Sequence, residues 1–389
     1  MDTDKTPKMR TVLVAIGAPG AGKSTLCNGL QQFMRAVARP CSVGNLDPAN
    51  DNMAGTYEAA LDVRDLVSIE EVMEREELGP NGGVLWAMEE VDANFDWLQE
   101  RLEACAETLI LDAPGQAELT THHSALPNIL RKIEKLGYRL VIIHLVDSLV
   151  LTRPSLYLSS LLLCLRAMLH LPYPTLNVLT KIDNLKSVGG AHLPFNLDFY
   201  TEVHDLHHLL PVLSREQPAS TPRASAKWDA LNEALVGLIE DHGLIAFDTL
   251  AVEDRQSMAT LLRAIDRASG YVFAGARGTD ESGRTLNDEA SIWAQAMNEN
   301  YGKMEVRDVQ ERWIERKEEY DELERKRWEE EARLAGALPE QPAAELRRTG
   351  AAQDTEMEDD DDLLAEQRRW QESRTRRADS QATKVVRKS

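Results

Sequence analysis

Short apolar runs and amphipathic segments alternate along the first 270 residues of the chain. Apolar runs rich in β-branched residues are typical of buried strands, and they occur at residues 11–16, 41–46, 108–111, 139–145, 175–179 and 245–250. The segments between them predict helices at residues 23–37, 84–103, 126–136, 155–169, 227–241 and 257–268. Because alternating strands and helices of this kind bury both faces of a sheet, we predict an α/β fold with a mostly parallel, doubly wound sheet.

The pattern changes near residue 274, where charged residues become more frequent. We predict a folded domain over residues 1–274 and a charged helical and disordered extension over residues 275–389. Within the extension, residues 305–334 predict a long exposed helix, since charges repeat at i,i+4 spacing among few apolar positions. The acidic run 356–362 and the basic stretch after it favour a disordered tail that solubilises the chain or docks a partner.

Composition narrows the classes of function. The 389 residues are 43% hydrophobic, and the formal net charge of −21 argues against direct binding to nucleic acid. The apolar run 145–171 contains charges and a proline, so we expect no membrane span, and residues 11–16 are too short for a signal sequence. The 4 cysteines lie far apart without a C-x-x-C pair, which indicates free thiols in a reducing compartment rather than a zinc site.

The first predicted strand leads into GAPGAGKS at residues 17–24, and a predicted helix follows. This context is what the phosphate-binding P-loop pattern requires. Main-chain N–H groups surround the phosphates, Lys23 reaches the β- and γ-phosphates, and the Ser24 hydroxyl ligates Mg²⁺. The sequence therefore predicts a P-loop NTPase. Its predicted nucleotide-binding residues here are Gly17, Ala18, Pro19, Gly20, Ala21, Gly22, Lys23, Ser24 and Thr25.

The strand 175–179 runs into TKID at residues 180–183, close to the [NT]-K-x-D pattern of guanine-binding P-loop proteins. A carboxylate at Asp183 can accept hydrogen bonds from N1–H and the exocyclic amine of guanine, which adenine does not offer together. The aliphatic part of Lys181 can lie along the face of the base. We therefore predict a guanine site that includes Thr180, Lys181 and Asp183.

Two more predicted strands end in carboxylates that suit the same site. Strand 108–111 leads into DAPGQAEL, where Asp112 suits a Mg²⁺ carboxylate and Gly115 can offer its N–H to a γ-phosphate. The run NLDPAN at residues 45–50 contains Asp47, which is placed to orient water or the water shell of the metal. We predict that the metal residues are Ser24, Asp47 and Asp112.

The stretch LGPNGGVLWAMEEVDANFDWL at residues 78–98 places Gly-Pro-Asn-Gly-Gly between two helical patterns. Glycine and proline together interrupt helices, so this pattern predicts a turn with a restricted φ at Pro80. Taken alone, such a turn is most often a plain loop between helices. A functional role for Asn81 therefore needs support from the rest of the chain.

These motifs together resemble one family, the GPN-loop GTPases. The resemblance covers residues 10–274 in the family's order and rests on GAPGAGKST, NLDPAN, LGPNGGVLWAMEEVDANFDWL, LDAPGQAELTTHH, LVDS, TKID and AIDRASGYVF. Its GPN insertion corresponds to about residues 68–98. Within the family, PGQAELTTHH and FDTLAVEDRQSMATLLRAID look most similar to the second of its eukaryotic paralogues.

The resemblance implies a GTPase that binds GTP or GDP with Mg²⁺ and works as a homodimer or a heterodimer of family members. Each GPN loop would reach the phosphates of the other subunit and assist catalysis with an uncharged group, in the manner of an arginine finger. The catalytic residues implied are Asp47, Gly79, Pro80, Asn81, Gln116 and Glu118. In the cell, the resemblance implies a cytoplasmic factor, with shuttling to the nucleus, for assembly and nuclear import of RNA polymerases II and III. Its implied partners are polymerase subunits or assembly factors, without direct nucleic acid or membrane binding.

Three features depart from the pattern of ordinary G-domains or of the family. A threonine-bearing switch I is missing, and Asp47 takes over part of its work. Residues 250–252 read Leu-Ala-Val where the family usually has Pro-Leu-Asn-Val, which leaves open whether this loop contacts the base. His122 and His123 invite a metal or acid–base interpretation, but adjacent histidines point in different directions, and we favour a structural role.

Other classes share the P-loop. A nucleotide kinase should carry an arginine-rich lid and no TKID, and a dimeric ATPase for metals or membrane proteins should carry a C-x-x-C or a membrane helix. The sequence has TKID, and we find no arginine-rich lid, no C-x-x-C pair and no membrane helix in it. A GTP-dependent interaction scaffold with negligible turnover, or a dimeric NTPase chaperone of another cargo, remains an alternative because turnover cannot be read from motifs.

Overall fold

The computed structural model describes residues 10–50, 57–185, 193–216, 222–270 and 306–334. Within these ranges, seven strands form one sheet in the order β3-β2-β4-β1-β5-β6-β7, and every neighbouring pair is parallel. This confirms the predicted parallel sheet. The strands are β1 Thr11–Gly17, β2 Cys41–Asn45, β3 Ala59–Asp62, β4 Thr108–Asp112, β5 Arg139–Asp147, β6 Thr175–Thr180 and β7 Phe247–Leu250.

Helices connect the strands and lie on both faces of the sheet. They are α1 Lys23–Ala36, α2 Ile69–Arg75, α3 Pro80–Ala93, α4 Phe95–Ala104, α5 Ala117–Thr121, α6 Ala125–Lys135, α7 Pro154–His170, α8 Leu197–Glu202, α9 Leu210–Glu216, α10 Pro222–His242, α11 Arg255–Ser269, α12 Val306–Gln310 and α13 Lys317–Leu334. Five of the predicted helices correspond to α1, α6, α7, α10 and α11. The predicted helix 84–103 is instead two helices, because the chain leaves helical geometry at Asn94, where φ is −100° and ψ is 42°.

Alternate residues of the central strands build two separate cores. Leu13 and Ala15 of β1 face α1 and α11, whereas Val12 and Val14 face α3, α4 and α6. Further along the second face, α7, α8 and α10 cover β5 and β6, with Tyr157 fully buried among them. Because both faces are covered, the functional groups of this sheet must lie at its carboxyl edge, where the loops emerge.

The edge strand β3 has no counterpart among the predicted strands. Only Leu61 of its four residues is buried, and Asp62 at its end pairs with Arg64. A strand this short and polar lacks the apolar run from which the other strands were predicted.

The GPN motif begins a helix, so the predicted turn is wrong. Gly79 precedes α3, and Pro80 is its first residue, where the missing N–H removes no hydrogen bond and the fixed φ suits the helix. Gly83 is buried in the first turns, where an added Cβ would lie 3.2 Å from Cγ of Met73. Gly83 therefore allows α2 to approach α3 closely instead of interrupting the helix.

The segment that follows residue 305 packs on the sheet domain. Val309 of α12 is only 3% exposed, and Trp313 and Ile314 pack against the same cluster as α7, α8 and α10. The expectation that residues 305–334 form an exposed helix without a core is therefore wrong for their first part. The compact unit that carries the sheet extends to Leu323.

Several predictions for the C-terminal part fall outside the described residues. These are the boundary between residues 274 and 275, the acidic run 356–362 and the basic stretch after it. The division into two domains and the disorder of the tail stay predictions. Among the helices of the described ranges, none combines the length and the hydrophobicity needed to cross a bilayer.

Candidate nucleotide-binding site

The loop between β1 and α1 has the geometry of a phosphate cradle. Gly17 ends β1 with φ of 146°, and a Cβ there would lie only 2.4 Å from the carbonyl oxygen of Leu145 in β5. Gly20 and Gly22 also adopt positive φ, at 77° and 93°. The first turn of α1 has no side-chain cap, so its main-chain N–H groups remain available for an anion.

Lys23 lies inside this loop. Its Nζ donates to the carbonyl oxygens of Gly17 and Ala18, at 3.1 and 3.2 Å, and the residue is 8% exposed. Burial lowers the pKa of Lys23, while the carboxylates of Asp112 and Asp47 act in the opposite direction. An anionic group that enters the loop would meet a partly desolvated ammonium, whose interactions are stronger than in water.

Two hydroxyl groups converge on one oxygen of Asp112 at the end of β4. Ser24 Oγ donates to Asp112 Oδ2 at 2.6 Å, and Tyr57 Oη donates to the same atom at 2.9 Å. The other oxygen, Oδ1, is buried and has no hydrogen-bond partner among the described residues. Burial raises the pKa of Asp112, and the two hydroxyl groups and Lys23 oppose that shift.

Tyr57 is a site residue that the sequence motifs did not identify. It is 9% exposed, and burial beside Asp112 raises its pKa far above the ordinary value, so the phenol stays a hydrogen-bond donor at neutral pH. Tyr57 lies between NLDPAN and β3 and belongs to none of the quoted motifs. An aromatic residue with a hydroxyl group ahead of an acidic strand end is too common a signal to select it.

Asp47 lies beside Lys23 and Asp112 at the end of β2. Its main-chain N–H donates to Asn45 Oδ1 at 3.1 Å, and its carboxylate accepts from the N–H of Ala49 at 3.0 Å. Asp47 is close enough to both neighbours to raise the pKa of Lys23 and of Asp112. The structure thus brings the predicted metal residues into one small volume.

The donor set fits Mg²⁺ that arrives with a nucleotide. Mg²⁺ commonly takes one or two carboxylates together with phosphate oxygens and water. The unpartnered Oδ1 of Asp112 and the Ser24 hydroxyl supply suitable oxygens, with Asp47 nearby. In the part of the chain that the structure describes, no group of three or more His, Cys, Asp or Glu side chains could hold a metal ion unaided.

The TKID turn is held directly beside the P-loop. Thr180 Oγ1 donates to the carbonyl oxygen of Ala21 at 2.8 Å, which joins β6 to the phosphate cradle. Lys181 Nζ pairs with Asp147 Oδ2 at 2.8 Å, and Ser148 Oγ donates to the carbonyl oxygen of Lys181 at 2.9 Å. The LVDS motif at the end of β5 therefore fixes the turn that carries Asp183.

Asp183 lies in a short 3₁₀ turn, Ile182–Asn184, and is partly exposed. Lys181 before it has a left-handed conformation, with φ of 57°, which turns the chain sharply at the end of β6. Among the described residues, no donor pairs with the Asp183 carboxylate. The Asp183 carboxylate is therefore available to a ligand, and the contact between Thr180 and Ala21 holds its turn next to the P-loop.

The Leu-Ala-Val loop after β7 is held from within. The N–H of Ala251 donates to Ser257 Oγ at 3.1 Å, and Ala251 is 1% exposed. Val252 fills the space beside Gly29 of α1, where an added Cβ would lie 2.6 Å from Val252 Cγ1. The Ala251 N–H is therefore already used in a hydrogen bond within the loop.

The loop after β4 carries Gly115, which was predicted to bind the nucleotide, and Gln116 and Glu118, which were predicted to be catalytic. Gly115 lies against the P-loop, since an added Cβ would be 3.0 Å from Lys23 Nζ and 3.1 Å from the nitrogen of Pro19. Gln116 precedes α5, and its buried Oε1 has no hydrogen-bond partner among the described residues. Glu118 lies in the first turn of the same helix.

The GPN residues are not joined to this site within one chain. Gly79, Pro80 and Asn81 are exposed at the beginning of α3, and none of the described hydrogen bonds links them to the P-loop. The first turn of α3 has no side-chain cap, so its free N–H groups face solvent. Thr25 is likewise exposed, on the first turn of α1.

The adjacent histidines have structural partners. His123 Nδ1 accepts from the N–H of Ala125 at 3.3 Å, and its Nε2 lies 3.1 Å from Glu89 Oε1. His122 Nδ1 lies 3.0 Å from Thr121 Oγ1. Both rings therefore have hydrogen-bonding partners within the fold at the end of α5.

Comparison with known proteins gives concordant matches. A family profile described as "Conserved hypothetical ATP binding protein" matches residues 15–271. The chain is 42% identical to GPN-loop GTPase 2 of Saccharomyces cerevisiae, over 84% of this chain and 89% of that protein. It is 40% identical to GPN-loop GTPase 2 of Schizosaccharomyces pombe, over 81% of this chain and 94% of that protein. It is 43% identical to GPN-loop GTPase QQT1 of Arabidopsis thaliana, over 67% of this chain and 86% of that protein.

A solved structure matches the fold. The apo crystal structure of a GTPase from Pyrococcus abyssi superposes with a TM-score of 0.52 and covers 66% of this chain and 97% of its own. Sequence identity in this alignment is 20%, so the likeness concerns the arrangement of strands and helices alone.

Proposed function

The chain belongs to the GPN-loop GTPase family, and on this premise we propose that it binds GTP with Mg²⁺ and hydrolyses it. The family predicted from the motifs is thereby confirmed, as is the similarity to its second eukaryotic paralogue. The observation that carries the proposal is the direct contact between the TKID strand and the P-loop, through Thr180 and Ala21. It supports a single site in which one nucleotide meets both motifs.

Guanine is the base that the site favours. Asp183 offers two acceptor oxygens, and guanine presents two adjacent donors, whereas adenine would leave the carboxylate without this pair. The description of the family profile that matches the chain names ATP binding. ATP is therefore the competing ligand that a test must include. The Asp147–Lys181 pair favours guanine further, because it fixes the turn that presents Asp183.

The phosphates would be bound by the chain's own groups. Main-chain N–H groups of residues 17–24 and the Lys23 ammonium neutralise the β- and γ-phosphate oxygens, and Ser24 and Asp112 would hold Mg²⁺. When bound, Mg²⁺ supplies positive charge to the β- and γ-phosphate oxygens. Gly115 is close enough to Lys23 that its loop can respond to a γ-phosphate.

Attack by water requires groups that orient it, and the monomer supplies only some of them. Gln116 has a buried oxygen without a hydrogen-bond partner among the described residues, and Asp47 adds a carboxylate near Lys23. Glu118 lies in the first turn of α5, directly after Gln116 and Ala117. The exposed beginning of α3 presents Asn81 and uncapped N–H groups to solvent. We propose that these groups act on the site of a second subunit, in a homodimer or in a heterodimer with another GPN-loop GTPase.

The test is phosphate release from GTP and from ATP by the purified full chain, with Lys23→Ala as the control. The proposal predicts Mg²⁺-dependent release from GTP, little from ATP, and none from either with Lys23→Ala. Equal use of ATP and GTP would contradict the guanine assignment. Tight GTP binding by Lys23→Ala in calorimetry would remove the P-loop from the account.

A GTP-dependent interaction scaffold is the second candidate. It is favoured by one observation, that the GPN residues do not contact the P-loop within a chain. A scaffold would bind GTP selectively and would release no phosphate above the Lys23→Ala level, alone or with a paralogue. A dimeric NTPase chaperone of another cargo would show turnover as well, and would differ in its partner.

We propose in addition a cellular role in the assembly and nuclear import of RNA polymerases II and III, carried out in the cytoplasm. Its support is the family resemblance. Polymerase subunits or assembly factors would be the partners, without direct nucleic-acid or membrane binding. The test is whether depletion of this protein leaves polymerase subunits in the cytoplasm, and whether Lys23→Ala fails to restore their nuclear location.

A further inference from the structure

A segment far along the chain packs beneath the guanine-recognition turn. We call residues 306–317 the docked segment. Val309 in this segment is buried in the same apolar cluster as Ile182 and Leu185, which flank Asp183 on both sides. Trp313 and Ile314 pack on that cluster as well. The chain between Asn184 and the docked segment includes β7, so this packing is a long-range contact of the fold.

Two polar contacts join the docked segment to the domain. Gln310 Oε1 accepts a hydrogen bond from the N–H of Leu197 at 3.0 Å and thereby satisfies a free donor at the beginning of α8. Lys317 Nζ donates to the main-chain carbonyl oxygen of Asp183. The second contact reaches the residue that would select the base.

Contacts of Arg312 hold the end of the docked segment, next to Lys317, in a fixed arrangement. Arg312 is 8% exposed, and its guanidinium pairs with Asp321 Oδ1 at 2.9 Å. The same guanidinium lies over the rings of Trp313 and Tyr320, at 4.1 and 5.3 Å from their centroids. These contacts close the π-helical turn Glu311–Glu315 onto the start of α13, and Lys317 is therefore presented by a packed element and not by a loose tail.

We propose that the docked segment holds the guanine-recognition turn in place and that Lys317 is a positioning residue for Asp183. The inference rests on the proposed function, since it concerns the same guanine site. Lys181 has a left-handed conformation, which a non-glycine residue keeps only when its surroundings fix it. Ser148 fixes the turn on the side of β5 through the carbonyl of Lys181, and Lys317 fixes the other side through the carbonyl of Asp183.

The position of the Asp183 carboxylate matters because guanine uses both of its oxygens. Two simultaneous hydrogen bonds need the carboxylate in one orientation, whereas a single bond tolerates more movement. Inosine nucleotides lack the exocyclic amine and make only one of the two bonds. Loss of Lys317 should therefore weaken guanosine nucleotides more than inosine nucleotides, and should weaken GDP as much as GTP because the γ-phosphate is not involved.

Arg316 provides a matched control within the same segment. It is exposed and pairs with Glu311 and Glu319, at 2.7 and 2.5 Å. Arg316→Met and Lys317→Met each remove one positive charge at adjacent positions, but only the second removes a contact with the guanine turn. Lys317→Arg keeps a donor at the position and should restore affinity.

The experiment is calorimetric titration of the full chain with GDP, and competition with GTP, ITP and ATP. We expect Lys317→Met to bind GDP and GTP about fivefold more weakly, the amount typical of one lost hydrogen bond, with a lower ratio of GTP to ITP affinity. Arg316→Met and Lys317→Arg should match the wild type. If Lys317→Met does not fold, as judged by its thermal transition, Lys317→Ala provides the same test, because it also removes the donor.

The outcomes separate this inference from the proposed function. If the wild type prefers GTP over ATP, and Lys317→Met and Arg316→Met have equal GDP affinities and equal GTP-to-ITP ratios, the role of Lys317 is wrong and the guanine site stands. If the wild type shows no preference for GTP, the proposed function fails and the inference fails with it. A melting temperature lowered by Lys317→Met without any change in guanosine affinity would also overturn the positioning role.

Discussion

Asp112 accepts hydrogen bonds from the Ser24 and Tyr57 hydroxyl groups through one oxygen, and its other oxygen has no hydrogen-bond partner among the described residues. This asymmetry is what a metal-binding carboxylate in a buried site needs, since one oxygen fixes its orientation and the other remains for the cation. Tyr57 is the contributor that no motif marks, and its hydroxyl contacts Asp112 at 2.9 Å.

Tyr57→Phe should weaken GTP binding in the presence of Mg²⁺ and leave binding without Mg²⁺ nearly unchanged. The variant removes one hydrogen bond to Asp112 while the ring still fills its buried position. We expect a loss of about fivefold in Mg²⁺-dependent affinity, in line with a single hydrogen bond to a charged group. Tyr173→Phe, whose lost hydroxyl contacts Glu134 and not Asp112, is the control. Equal effects with and without Mg²⁺ would contradict the positioning of Asp112 by Tyr57.

All the described strands except β3, together with the P-loop, follow from the sequence because their signals are local. A continuous apolar run identifies a buried strand, and the glycines of residues 17–24 identify the loop after it. Tertiary packing determines which groups contact Asp112. The sequence around Tyr57 contains no local signal that Tyr57 is one of them. The beginning of α3 was mispredicted because proline and glycine were weighed as helix breakers, although proline is favoured at the first helical position.

At the scale of single elements, β5 contains a buried histidine. His144 is 7% exposed, its Nδ1 has no hydrogen-bond partner among the described residues, and burial lowers its pKa to about 4. The unfolded chain binds this proton at a higher pH than the folded chain does. Stability from neutral His144 is therefore fully present above about pH 6.5 and is lost as the pH falls toward 4.

His144→Gln should flatten this acid dependence. The amide does not titrate, so the variant should lose about 3 kcal/mol less of its free energy of unfolding than the wild type between pH 7 and pH 4. Urea denaturation at several pH values measures the difference. His208→Gln, at an exposed histidine, should leave the wild-type slope unchanged. A wild-type slope in His144→Gln would show that other groups cause the acid loss.

The prediction for the docked segment, like that for the beginning of α3, is wrong because one local feature was given too much weight. Val306, Val309 and Trp313 recur at helical spacing and form an apolar stripe, but the surrounding charges dominate the pattern. The stripe was a usable signal of packing, because an exposed helix has no need of it. What it packs against cannot be read locally, since its contacts are with α8 and with the turn after β6.

Deletion of the docked segment should therefore destabilise the domain. A chain that ends at Glu305 exposes the surface that Val309, Trp313 and Ile314 cover, and we expect its melting temperature to fall by at least about 5 °C. A chain that ends at Leu334 retains the segment and serves as the control. Differential scanning calorimetry compares the two. An unchanged melting temperature for the shorter chain would show that the segment contributes little to the fold.

At the scale of the whole molecule, the proposed dimer would bring the exposed beginning of α3 of one chain to the P-loop site of the other. Asn81→Ala should reduce turnover on the order of a hundredfold with GTP affinity near the wild-type value, as for a group that acts mainly in the transition state. Mixing Asn81→Ala with Lys23→Ala should restore part of the turnover, because a mixed dimer pairs one intact P-loop with one intact GPN loop.

The mixing experiment needs two checks. Sedimentation must show that the Lys23→Ala chain still associates, and a chain that requires a paralogue must be tested in that heterodimer. If mixed dimers form and turnover stays at the level of the single variants, the action of Asn81 on a second subunit is wrong for this protein.

We propose that Asp183 selects guanine at the P-loop site. Asp183→Asn tests this selection with the smallest change, because it replaces one carboxylate oxygen by an amide nitrogen. Competition titrations of wild type and Asp183→Asn with GTP, XTP and ATP measure the selectivity. We expect the wild type to prefer GTP, and we expect Asp183→Asn to lose affinity for GTP and to gain relative affinity for XTP, whose additional carbonyl suits an amide donor. A variant that keeps the wild-type preference for GTP, or a wild type that binds ATP as tightly as GTP, would contradict the proposal.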